Sequence, residues 1–170
     1  MRRIALPFLF AILLLTVQAT LLLSLPIHRI RPDLMLIFTL WLSFSYSPVP
    51  GGILAFSMGY LLDLFSGNSF GLYTFSRTLL FYMVYCFKDH FYLEGLVSQL
   101  FLVFVSALLE GLLLMILLFI FNPYPFHFFY VSWVTVLLPQ SAVSGLIAPL
   151  LFSLFDKGSV YFLRKNELRV

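Results

Sequence analysis

The sequence predicts an all-α polytopic membrane protein, a bundle of six transmembrane helices, and two observations predict it. Of 170 residues, 62% are apolar or aromatic and only 10% are charged, whereas a water-soluble domain carries about 25% charged residues to cover its surface. Long charge-free runs alternate with short clusters of proline, glycine and charge, and the mean hydropathy is +1.04. At about 1.5 Å per residue, a hydrocarbon core of about 30 Å takes roughly 20 residues, so the length accommodates six spans with almost nothing left over. Residues 1–170 therefore read as a single integral membrane domain.

The first span is placed at residues 4–25, after Arg2 and Arg3 and before Pro26, His28, Arg29 and Arg31. Leu23-Ser24-Leu25-Pro26 lacks a small-x-small cleavage pattern, so this segment is expected to stay in the protein. Pro32 suits the first position of a helix and Asp33 its positive first turn, which opens a second span over residues 33–47. Pro48-Val49-Pro50-Gly51-Gly52 is expected to break the chain in a tight reversal. A third span then covers residues 53–66, and both it and the second are short for the hydrocarbon, as in a hairpin held inside neighbours.

Ser66-Gly67-Asn68-Ser69 makes the next turn, before a fourth span at residues 70–87. Lys88, Asp89, His90 and Glu94 form the most polar internal loop, and the fifth span follows at residues 95–121. Asn122-Pro123-Tyr124-Pro125 separates it from a sixth at residues 128–155, interrupted by Pro139 and Pro149. Arg2, Arg3, Lys88, Lys157, Arg164, Lys165 and Arg169 fall on one side of this arrangement, against Arg29 and Arg31 on the other. That asymmetry places both termini in the cytoplasm.

Three ionisable side chains fall within spans: Asp63, Arg77 and Glu110. A charge at the bilayer centre costs about 2.5–3.5 kcal/mol on insertion scales, so each should face protein or a water-filled cavity. Asp63 lies about 5 Å below the turn and Arg77 about 10 Å into span four, a difference the guanidinium can reach across. The plain structural reading is an Asp63–Arg77 pair holding these spans in register, with Glu110 protonated or hydrogen-bonded nearby. The functional reading is a polar site that couples conformations or receives a partner's polar group. Asp63 has a further option, as an acceptor for the turn amides of Gly67 or Asn68.

Small residues mark close helix contacts: Thr16 and Thr20, Ala107 and Gly111, Ser141 and Gly145, Ser144 and Ala148. Gly59 and Asp63 share a helix face, which puts a close-approach surface directly below a buried acceptor; Gly67 is suited to a positive φ, and Gly71 to a tight start of span four against span three. An enzyme is not expected. His28, His90 and His127 all fall in loops, and no HExxH, phosphate-cradling glycine loop or paired-carboxylate motif occurs. Cys86 is the only cysteine, so neither an internal disulfide nor a metal knuckle is available, and no cofactor is expected. The basic balance of +3 sits largely at the chain ends, where it serves topology and anionic headgroups of membrane lipid; it does not argue for nucleic acid. Trp41 and Trp133 read as interfacial anchors if they lie near span ends.

The run Arg31-Pro32-Asp33-Leu34-Met35-Leu36, followed by Gly52, Gly59, Asp63, Ser66, Gly67, Gly71 and Leu72, resembles the bacterial rod shape-determining MreD family. The resemblance implies a non-enzymatic inner-membrane subunit of the cell-elongation machinery. Its implied partners are MreC, the MreB filament and the glycosyltransferase and transpeptidase pair that builds lateral peptidoglycan. It also implies a fold similar to the substrate-binding subunits of energy-coupling-factor transporters, also six-helix bundles. Carried over by motif, Pro32 and Asp33 start span two, while Gly59, Asp63, Ser66, Gly67 and Gly71 shape the hairpin of spans three and four. The leading expectation is a scaffold. The alternative is a vitamin-uptake subunit, against which Ala5, Ala11 and Ala19 lack the Ala-x3-Ala docking spacing. A third is a lipid-facing site for a wall precursor at Arg77 and Asp63.

Overall fold

A computed structural model describes residues 2–24, 32–66, 71–88, 95–121 and 133–167. Among them the chain is all-helical, in the order α1 (Arg2–Ser24), α2 (Leu34–Ser45), α3 (Pro48–Ser66), α4 (Leu72–Phe87), α5 (Leu96–Phe121) and α6 (Leu138–Glu167). A wider π-turn, Trp133–Leu137, leads directly into α6. Pro139 has no N–H to give the turn before it, which accounts for that widening. The helix also carries Pro149 without ending there, and continues past residue 155 to Glu167.

The segment Leu34-Met35-Leu36-Ile37-Phe38-Thr39-Leu40-Trp41-Leu42-Ser43 is buried on every side. A helix that is apolar all round belongs inside other helices, and α2 touches each of the other five. Its two buried hydroxyls are satisfied within the helix: Thr39 Oγ1 donates to the Met35 carbonyl at 2.8 Å and Ser43 Oγ to the Leu40 carbonyl at 2.6 Å. At about 18 Å, α2 is too short to cross a membrane unaided, and its neighbours supply the surroundings it needs. The most extensive helix pairs are α3 with α4 and α5 with α6.

The expected break at Pro48–Gly52 is corrected: those residues are the opening of α3. Neither proline breaks the helix, because the first turn has no intrahelical use for its N–H groups. Gly51 N–H closes that turn on the Ser47 carbonyl at 3.0 Å. The reversal falls instead at Tyr46, whose backbone is extended (φ −119°, ψ 155°).

Trp41 is also reassigned, from interfacial anchor to core. Its ring is buried and stacked on Phe38 with centroids 5.6 Å apart, beside Phe155. The indole Nε1 donates to Asp156 Oδ1 at 2.8 Å, which ties α2 to α6. The side chain of Trp133, the turn residues Gly67 and Asn68, and all three histidines lie outside the described residues.

Candidate functional site

Asp63 ends a buried face of α3, and the start of α4 runs across it. Its Oδ1 accepts the Tyr73 N–H at 2.9 Å, while Oδ2 accepts the Thr74 N–H at 2.9 Å and the Thr74 hydroxyl at 2.5 Å. The carboxylate thus caps α4 from a neighbouring helix, satisfying two of the amides that every helix start leaves open and meeting the positive end of its dipole. Gly71, the N-cap residue, supplies no side-chain acceptor of its own and stands at φ +96°. The positive φ expected at Gly67 lies outside the described residues; among those described, Gly71 has one.

The close approach expected at Gly59 is present, while the tight contact expected at Gly71 is not. A Cβ at Gly71 would meet nothing within 4 Å, whereas one at Gly59 would lie 2.5 Å from Thr74 Cα and 2.7 Å from the Tyr73 carbonyl oxygen. One turn of α3 therefore does two jobs, pressing backbone on backbone at Gly59 and capping α4 at Asp63.

Arg77 does not pair with Asp63. Its side chain is fully buried, with 0% exposure, and its Nη2 donates to Asp33 Oδ2. Nε lies 2.9 Å from Glu110 Oε1, and Glu110 is 5% exposed. Asp33 is the N-cap of α2; its Oδ1 accepts the Leu36 N–H at 2.9 Å and its own N–H donates to Ser144 Oγ on α6 at 3.1 Å. Four helices therefore meet at one polar hub: α2 through Asp33, α4 through Arg77, α5 through Glu110 and α6 through Ser144. Buried Ser76 and half-buried Tyr73 stand beside it.

Sequence reasoning counted Asp33 as the start of a span, next to Arg31, and so missed it as the counter-ion. The available signal was charge balance, since a single guanidinium inside the spans can serve more than one of the few carboxylates within or at the start of a span. Pro32, partly buried, precedes the cap, and Ser66 is the exposed last residue of α3.

The small-residue pairs divide. Gly145 faces the Leu100 carbonyl oxygen on α5 and Gly111 faces Leu137, so both serve internal contacts. Thr16 and Thr20 are exposed and bond back within α1. Phe56, Tyr60 and Phe75 border an open groove of about 540 Å³ between α3 and α4, with Asp63 and Thr74 also lining it. Arg77 is sealed inside, and both oxygens of Asp63 are taken up by the start of α4. Among the described residues no three His, Cys, Asp or Glu side chains gather as a metal site.

These features define a class: a membrane protein, all-helical among the described residues, whose intramembrane ionic groups are turned inward on other groups of the protein. Three described stretches are long and apolar enough to cross a bilayer, Pro48–Ser66, Leu96–Ile120 and Thr135–Lys157. The rod shape-determining protein MreD family model matches residues 1–158, and the chain belongs to that family. No curated protein and no solved structure matched it.

Proposed function

We propose that this protein is a non-enzymatic scaffold subunit of the bacterial cell-elongation complex, binding MreC and linking the MreB filament to the lateral peptidoglycan synthases. The family match over residues 1–158 carries the reading, since that family determines rod shape. The disposition of charge supports it: the intramembrane groups at Asp63, Arg77 and Glu110 face neighbouring helices of the bundle.

In this reading all six helices span the cytoplasmic (inner) membrane as one domain, with both termini in the cytoplasm. The basic-residue asymmetry supports the orientation. The bundle is taken to be of the kind used by the substrate-binding subunits of energy-coupling-factor transporters, on the strength of the six-helix order alone.

Solubilisation and affinity purification from cells test the role. Recovery of MreC with this protein, together with loss of rod shape on depletion, is the expected outcome. A stoichiometric bound vitamin, with normal shape on depletion, contradicts it.

A further inference from the structure

Two carboxylates face one guanidinium in the hub, and with all three ionised it carries one uncompensated negative charge. Asp33 is the better engaged of the two carboxylates. It is 19% exposed on its side chain, caps the N-terminus of α2, and accepts both the Leu36 amide and Arg77 Nη2. Glu110 has none of these supports. It lies in the middle of α5, away from either helix end, and is 5% exposed.

Its one close charged contact, Arg77 Nε at 2.9 Å, is not aligned as a hydrogen bond, and Arg77 Nη1 has no hydrogen-bond partner either. An ionised carboxylate held against a guanidinium ordinarily engages it with two parallel, charge-assisted bonds. Leaving such a charge buried and poorly engaged is costly, and the usual resolution is neutralisation by a proton. Among the described residues, the other titratable groups facing the cluster offer no second cation. Tyr73 is on α4, Asp63 on α3 is held by the start of α4, and the described part of α6 presents Ser144.

We propose that the Asp33–Arg77–Glu110 hub is a proton-binding site, in which Glu110 holds one proton while Asp33 alone balances Arg77. The bundle then assembles as an electrically neutral unit. This holds independently of the scaffold role, because it concerns the charge state of the isolated protein.

Infrared spectroscopy of the full chain in liposomes at neutral pH tests it through the carbonyl stretch of a protonated carboxyl group. The wild-type spectrum should show such a band, and Glu110→Gln should lose it. Asp33→Asn should lose it as well, because Glu110 then ionises to balance Arg77. A wild-type spectrum in which Glu110→Gln removes no protonated-carboxyl band overturns the proposal, as does a band that persists in folded Asp33→Asn. If circular dichroism shows that Asp33→Asn does not fold, the comparison of wild type with Glu110→Gln decides alone.

Discussion

Asp63 and Asp33 are both aspartates at helix ends, yet their carboxylates do different work. Asp63 spends both oxygens on the start of α4, whereas Asp33 divides its two between its own helix and Arg77. Removing the Asp63 side chain orphans two backbone amides at about 1–3 kcal/mol each. Asp63→Ala should therefore lose about 3 kcal/mol in thermal or denaturant unfolding in detergent, with Asp63→Asn intermediate because its amide can accept but one side of it donates. Arg77→Met should cost about 3–5 kcal/mol by leaving carboxylates buried without their partner. Arg77→Lys should recover little of that, since a point charge cannot reach Asp33 and Glu110 together as the planar guanidinium does. The hydropathy pattern made Asp63, Arg77 and Glu110 legible as residues that must answer to something. It did not make the partners legible, because nearness in sequence favoured Asp63 over Asp33, 44 positions from Arg77, and helix-start amides compete for a carboxylate as strongly as a cation does.

Among the elements, the α3–α4 hairpin depends on a missing side chain. Even Gly59→Ala places a Cβ within 2.5 Å of Thr74 Cα, and backbone cannot swing aside as a flexible side chain can. Gly59→Leu should separate the two helices and expose the hairpin to limited proteolysis, with no change of charge. A Gly59→Leu protein that resists protease as the wild type does would contradict this account of the contact. Gly71→Ala should cost only about 1 kcal/mol, through its left-handed backbone and not through crowding. Trp41→Phe keeps an aromatic ring against Phe38 and Phe155 but loses the bond to Asp156; it should lower unfolding free energy by about 1 kcal/mol. Proline was the least reliable guide at this scale. Pro48 and Pro50 signal a break by composition, but in a first turn the missing N–H groups are not needed. Pro139 is accommodated by a π-turn and Pro149 inside the helix.

For the whole molecule, the all-helical class was legible because hydrocarbon leaves the backbone few alternatives to satisfying its own hydrogen bonds. The arrangement of the helices was not, since the apolar run of α2 reads the same whether lipid or protein surrounds it. Buried among five helices, α2 links the hub at its N-terminal end to the aromatic cluster of Phe38, Trp41 and Phe155 further along. On the proposed topology, reporters fused at the two termini should both register the cytoplasm; one on each side of the membrane would remove the geometric support for six crossings. The most direct test of the hub itself is a pair of double-mutant cycles read by unfolding, one for Arg77→Met with Asp33→Asn and one for Arg77→Met with Asp63→Asn. The first should show a coupling of more than about 1 kcal/mol and the second one within about 0.5 kcal/mol of zero. Strong coupling of Arg77 to Asp63, with none to Asp33, would contradict the account.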